Sequence, residues 1–483
     1  MKFKVALVGL LSSGLTASVA ARHASTRNLG RPVCGDGIVS GGEQCDGTDF
    51  DGKTCGDYGF SEGSLICTSS CSVDTSSCSN GGGGPVCGDG ILEGTEECDG
   101  TDLGAATCAD QGCTGGTPTC SSCTLDYSSC TGCSTGPTDW SAESTAAMSW
   151  LTSQNQVKGP KMAIQSYEVD SSNPLDGVCF VYDQAVAAIA YVAGGQTNNA
   201  QKVLKNLQNW QQGSGSFYTA HWCGSGGIWE YNQHVGPTIW VAMAAKKYSL
   251  ATGDSQFEAM GNAAIAWSLQ FQQADGGVNG GVDFNGNTVG WASTEHNQDV
   301  YAALMDYGGY DTEAAGVYSF LTTVVWDATE SRFCTGRGDT WNAMDVNPWG
   351  ILALGAGFAG SMAYIDANHR SSSVCPGVDG YDFDANVPYP WGSSCTWSGV
   401  GPDDVWFEGT AFVAAAHNLL GDTAAADYVL SQIVIKQSGN GGIPYSCNGS
   451  CNQLWTMSSF NSVAATGWFV IAANRKNPFG QGW

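Results

Sequence analysis

"YDQAVAAIAYVAGG" (182–195) is helical in composition but has no polar face, because alanine, valine and isoleucine lie all round it. A helix without a solvent face is buried on every side. Segments of this kind return as "GPTIWVAMAAKKYSL" (236–250), "HNQDVYAALMDYGG" (296–309), "NPWGILALGAGFAG" (347–360), "FEGTAFVAAAHNLLG" (407–421) and "FNSVAATGWFVIAA" (460–473). Helices of a second kind lie between them. In "DSQFEAMGNAAIAWSLQFQQ" (254–273), Phe257, Met260, Ala264, Trp267 and Phe271 step by three or four and form one apolar stripe. "NNAQKVLKNLQNWQQ" (198–212) and "DTAAADYVLSQIVIK" (422–436) follow the same pattern, with Asp254 and Asp422 placed as N-caps. Helices buried all round, alternating with one-faced helices, predict an inner and an outer ring. The expected fold class is therefore all-α, an (α/α)6 toroid.

Loop lengths give the toroid a direction. Inner helices pass to outer ones through short turns such as "ATGD" and "LGD", whereas the return connections are long and rich in Gly, Trp and Asp. The long loops thus gather on one rim, where the inner helices begin, and binding residues concentrate in such loops.

Ahead of the toroid the composition is different. Of 21 cysteines, those from Cys34 to Cys133 form a tandem repeat: "CGDGIVSGGEQCDGTDFDGKTC" (34–55) returns as "CGDGILEGTEECDGTDLGAATC" (87–108). Each copy has few large apolar side chains, so bridges must replace a core, in a connectivity that spacing leaves open. The first residues combine Lys2 and Lys4 with a short apolar run and small residues, as a secretory signal does. The expected organisation is a signal peptide (1–21), two cysteine-rich modules (32–79 and 85–134) and the toroid (138–483), in a secreted, extracellular protein. Asp36, Asp46, Asp49 and Asp51 offer oxygens of the kind that hold Ca²⁺, although Asx turns use aspartates in the same way. No other cofactor is expected. In the toroid, local bridges Cys447–Cys451 and Cys375–Cys395 are expected, with one of Cys179, Cys223 and Cys334 left free and buried.

Net charge is −27, which argues against nucleic acid and anionic lipid as partners, and no later segment is apolar enough to span a membrane. A monomer is expected. The residues entering the inner helices are Tyr182 and Asp183, then Trp229, Glu230 and His234, then Trp291, Glu295, His296 and Asp299, then Asp345 and Trp349, then Asp404, Trp406 and Glu408, then Trp455. Carboxylates recur at five of these six places. Paired carboxyls among aromatics suit glycosidic cleavage: one gives a proton to the leaving oxygen, and the other activates water or attacks the sugar. Indole faces cover sugar rings, and an indole beside a carboxyl raises its pKa. Glu295 and Glu408 are the leading candidates for acid and for base or nucleophile, followed by Asp345 and Asp404, then Asp183 and Asp299. Trp229, Glu230, His234, Trp291, His296, Trp349, Trp406, Trp455 and Tyr182 are expected to bind substrate. His234 and His296 lack metal-site spacing, so no metal is expected there.

On these features, the segment 138–483 resembles the six-hairpin glycosidases, (α/α)6 toroids that act on polysaccharides. "STEHNQDVYAAL", "MDVNPWGILALG" and "DDVWFEGTAFVAAA" are similar to segments of secreted bacterial toroid proteins, and the cysteine modules resemble the CGDG…GEECD repeats of secreted myxobacterial and eukaryotic surface proteins. The resemblance implies a hydrolase or lyase of glycans. The leading expectation is an endo-acting glycoside hydrolase on a neutral polysaccharide such as a β-glucan. The alternatives are a polysaccharide lyase, disfavoured by only 18 Lys and Arg, and a non-catalytic glycan-binding or adhesion protein.

Overall fold

The computed structural model describes residues 138–339, 343–384, 404–449, 457–480 and 482–483. Nearer the N-terminus it describes 39, 44–45, 48–50, 52–58, 62–68, 71–79, 87–88, 92, 97–104, 106–108, 113, 115–121 and 123–131. The expected signal peptide, Trp455, Asp36, Asp46 and Asp51 lie outside the described residues. The chain divides into two compact units, the larger running from Thr131 to Trp483.

The larger unit is an (α/α)6 toroid. Its inner helices are α2 (Val181–Ala193), α4 (Val235–Thr252), α6 (Thr294–Tyr307), α8 (Val346–Leu354), α10 (Phe407–Leu420) and α12 (Val463–Ala473). Its outer helices are α1 (Ser141–Ser153), α3 (Thr197–Trp210), α5 (Glu258–Ser268), α7 (Asp311–Thr323), α9 (Gly360–Asn368) and α11 (Thr423–Val434). Each inner helix touches the next, and α12 returns to α2, closing the ring. Small residues permit this: Ala185, Ala187, Ala188 and Ala190 of α2 are fully buried, as are Ala242, Ala244 and Ala245 of α4. On α3 only one stripe is covered, formed by Ala200, Val203, Leu204, Leu207 and Trp210. Asp422 caps α11 as expected, accepting from Ala425 N at 3.1 Å. Asp254 does not cap α5. Its carboxylate accepts from Gln256 N in a turn, and the helix begins only at Glu258.

Packed indoles fill the middle of the ring. Trp240, Trp349 and Trp468 lie within 5.4–5.9 Å of one another, and Phe479 meets Trp240 and Trp349. The C-terminal segment is pinned there by Lys247 of α4, which is fully buried, pairs with Asp306 and donates to Gly480 O at 2.6 Å. Burial pushes Lys247 down and Asp306 up, so loss of water outweighs their attraction.

Two disulfides tie the rim loops, and their pairing corrects the sequence expectation. Cys179 bonds Cys223, and Cys375 bonds Cys447, in place of the local pairs Cys375–Cys395 and Cys447–Cys451. Adjacent strands Val178–Phe180 and Ala220–Trp222 set Cys179 near Cys223, and the turn at Asn448, whose amide donates to Val374 O, sets Cys447 beside Cys375. Among the described residues Cys334 is the free cysteine, and it is half-buried rather than buried.

In the smaller unit, Cys45–Cys67 and Cys55–Cys78 repeat as Cys98–Cys120 and Cys108–Cys130, and Cys87–Cys123 is a further bridge of the second copy. Equivalent residues Cys71 and Cys123 both take a left-handed backbone, with φ of 53° and 56°. Asp99, the counterpart of Asp46, accepts from Gly88 N with both oxygens, and Asp102, the counterpart of Asp49, accepts from Gly104 N two residues on. Asp102 bonds in the manner of a turn residue, whereas Asp99 ties together backbone eleven residues apart.

Lys247→Met should destabilise the toroid by about 3–5 kcal/mol, because it strands the Asp306 carboxyl in the core. Lys247→Met with Asp306→Leu should recover most of that loss. Urea unfolding of both variants checks it, and a double variant no more stable than the single would refute the account.

Candidate active site

Five of the six predicted carboxyls converge where inner helices begin. Asp183 lies in the first turn of α2, and the nearby Ser166 hydroxyl draws its pKa slightly back down. Glu295 and Asp299 are one turn apart on α6, Asp345 is the N-cap of α8, and Glu408 lies in the first turn of α10. Their mutual repulsion is direct: Asp345 and Glu408 act on Glu295, Glu295 and Asp345 on Asp299, and Asp183 and Asp345 on Glu408. No Lys or Arg among the described residues forms an ion pair with any of them.

Buried like charges without a cation hold on to protons. Loss of water is the largest cause throughout. It pushes Asp183 and Asp345 up to about 7 and Glu408 up to about 8, and with the neighbouring carboxylates it holds Glu295 and Asp299 well above the carboxylate range. Glu295 is crowded by protein yet keeps part of its surface open, as a group at the bottom of a cleft does. Asp299 is 0% exposed and neither carboxyl oxygen has a hydrogen-bond partner. The Trp240 indole N–H, its nearest named donor, stays outside bonding geometry.

Glu408 is the best-supported member. Tyr182 donates to its Oε1 at 2.6 Å while accepting from Trp468 Nε1 at 2.8 Å, and the Tyr445 hydroxyl beside the same carboxyl draws it slightly down. Tyr167 is crowded by Asp183 and Glu408, and its ring meets Tyr445 edge-on at 5.8 Å. Ser166, Tyr167 and Tyr445 come from loops with no periodicity, so the sequence offered no signal for them.

Beside Glu295, Trp291 lies 5.6 Å from His234 and 5.3 Å from His296. Two glycines admit this cluster: a Cβ on Gly236 would fall 2.3 Å from the His296 ring, and one on Gly280 2.5 Å from the Trp291 ring. Burial lowers His234 to about 4 and His296 to about 3, so both are neutral donors or acceptors near pH 7. His296 Nδ1 is buried without a partner. Trp229 is half-buried against Phe180, next to Tyr182, and half-buried Glu230 accepts from Asn232 at 2.6 Å.

Three candidates fall elsewhere. Asp404 is a structural clamp, fully buried, with its oxygens taken by the backbone N–H of Val405 and of Asn448. Trp349 is 1% exposed and covered by Trp240, Trp468, Phe412 and Phe479, so it offers no face to a sugar. Trp406 is likewise buried, among Phe383, Phe412 and Tyr445.

No family model matches the chain, and no curated protein matches it. Solved structures do. A wild-type glycosidase is 12% identical, with 70% of this chain and 96% of that chain covered and a TM-score of 0.52. A glycosidase variant in complex with glucose is 13% identical over the same shares, with a TM-score of 0.52. A novel alpha-amylase from Clostridium perfringens is 9% identical, with 70% and 99% covered and a TM-score of 0.51. At these identities the likeness is one of fold.

The raised carboxyls make stability depend on pH. Between the ordinary carboxylate range near 4 and about 8, the folded chain keeps protons that the unfolded chain has released, so these groups stabilise less as pH rises. The depressed histidines act oppositely, but only below the unfolded histidine value of about 6.5. From pH 6.5 to 8 the carboxyls act alone, and the melting temperature should fall by several degrees. Glu295→Gln should flatten that slope and raise stability at pH 8. Melting curves across this range check it, and an unchanged slope in the variant would contradict the account.

Proposed function

We propose that the protein is a secreted glycoside hydrolase that cleaves a neutral polysaccharide at the mouth of the toroid. The observation that carries this reading is a set of four buried carboxyls, unpaired with any cation among the described residues, around a fifth, Glu295, that is partly open. Such an arrangement is costly to folding and has a use in proton transfer. The glycosidases of like fold make the reading more probable only by analogy of fold.

Roles follow from the bonds each carboxyl receives. Burial holds Glu408 up near 8, but the bond it accepts from Tyr182 draws it back toward the charged form. Glu295 receives no such bond among the described residues and is repelled by Asp345 and Glu408, so it holds the proton. Glu295 is then the general acid and Glu408 the base or nucleophile. Burial, with Asp345 and Glu408 beside it, keeps the acid protonated. Trp291, Trp229, His234 and His296 would meet the sugar, the first two by ring faces and the histidines by hydrogen bonds.

A lyase would need cations for the substrate's uronates, and the two rim arginines are already engaged. Arg337 is forked onto Asp275 at 2.6 and 2.7 Å and bonds Asn279, while Arg332 bonds Glu330 and lies over Tyr364. This favours hydrolysis.

The protein should release reducing ends from neutral polysaccharides without the ultraviolet absorbance of unsaturated uronides. Glu295→Gln and Glu408→Gln should each lower kcat by about 10²–10⁴-fold, and Tyr182→Phe by about tenfold, with no variant melting below the wild type by more than a few degrees. Absorbance would establish a lyase. Glycan binding without cleavage, unchanged in the carboxyl variants, would establish a binding protein.

A further inference from the structure

The rim beside α6 carries aromatic rings that the proposed chemistry does not use. Strands Gln233–His234, Gly281–Val282 and Thr288–Val289 form one antiparallel sheet that leads into α4 on one side and into Trp291 and α6 on the other. The register pairs Gln233 with Val282. Tyr231 and Phe284 each lie two residues outward of that pair, about 7 Å along a strand, just beyond the ends of their strands.

Both rings are open to water, Phe284 at 67% and Tyr231 at 54%. Both are held rigidly. Phe284 tips a hairpin locked by Asp283, whose carboxylate accepts from Asn285 N, Asn287 N and Asn287 Nδ2. Tyr231 is braced edge-on by Tyr218 at 5.6 Å, which leans on His221, which in turn stacks on Trp210 at 4.4 Å. A hydrophobic ring fixed in solvent by polar scaffolding gains nothing for the fold. At the inner end of the same sheet, Trp291 adjoins His296, the neighbour of Glu295. The sheet thus joins the segments that carry the two exposed rings to the segment that carries Trp291, beside the carboxyl cluster.

We propose that Phe284 and Tyr231 form an outer subsite that holds sugar units of a long glycan chain several residues from the cleaved bond, with Trp291 as the inner step. This rests on the hydrolase reading and deepens it, because it makes the substrate a polymer rather than a short oligosaccharide. The rings recognise the apolar faces of neutral pyranose units, which fits a surface whose arginines are already engaged.

The test uses ladders of gluco-, manno- and xylo-oligosaccharides from disaccharide to octasaccharide, with the full chain and the Phe284→Ala and Tyr231→Ala variants. In the wild type kcat/KM should climb with length on at least one ladder. Each variant should lower the ratio of longest to shortest by roughly three- to tenfold, mainly through KM, and the double variant by about the product. Because both side chains are exposed, melting temperatures should not move. A ratio unchanged in the double variant would overturn the subsite while leaving the hydrolase intact. A change in oligomeric state without a change in the ratio would assign the rings to a protein contact instead. A wild type silent on every ladder and on the parent polysaccharides would remove the hydrolase reading and the subsite with it.

Discussion

Six helices close into a ring only if each can approach two neighbours and a covering helix at once. The alanines and glycines of α2, α4, α8, α10 and α12 allow that approach, and most of the remaining architecture follows from it. A helix surrounded on all sides has only its ends free, so polar function must sit at the ends. Short inner-to-outer turns leave one end little room, and the long return loops build up the other. The carboxyls stand at helix N-termini because that is where a closed ring leaves space, and because the backbone N–H groups there tolerate negative charge.

The same closure explains the electrostatics. Five acidic side chains brought under one mouth by separate helices lose water together, and none has a cation to relieve it. Their effect on stability is unfavourable and is offset elsewhere, by the packed indoles in the ring's centre. Function and folding therefore draw on different layers of the same helices: the first turn carries the strain, and the turns beneath it supply the packing.

The ring was legible in the sequence because helices buried all round and helices buried on one side differ in composition, as "YDQAVAAIAYVAGG" and "NNAQKVLKNLQNWQQ" do. Loop direction was legible for the same reason. Individual roles were less so. Asp345 and Asp404 both stand just before a valine near the start of an inner helix, yet one joins the carboxyl cluster and the other is absorbed by backbone N–H groups of Asn448, forty-four residues away. Trp349 and Trp406 look like rim aromatics by position, but the ring's interior claims them. Tyr167 and Tyr445 sit in aperiodic loops, and the Cys375–Cys447 bridge joins distant loops, so neither leaves a local trace. What sequence spacing conveys is which residues reach the mouth's level. Which of them face the opening is decided by partners far along the chain.

The stack of Trp240, Trp349, Trp468 and Phe479 has a consequence for traffic. It fills the space between the inner helices with side chains. No chain can be threaded along the axis past such a plug, so whatever enters from the carboxyl side must also leave on that side.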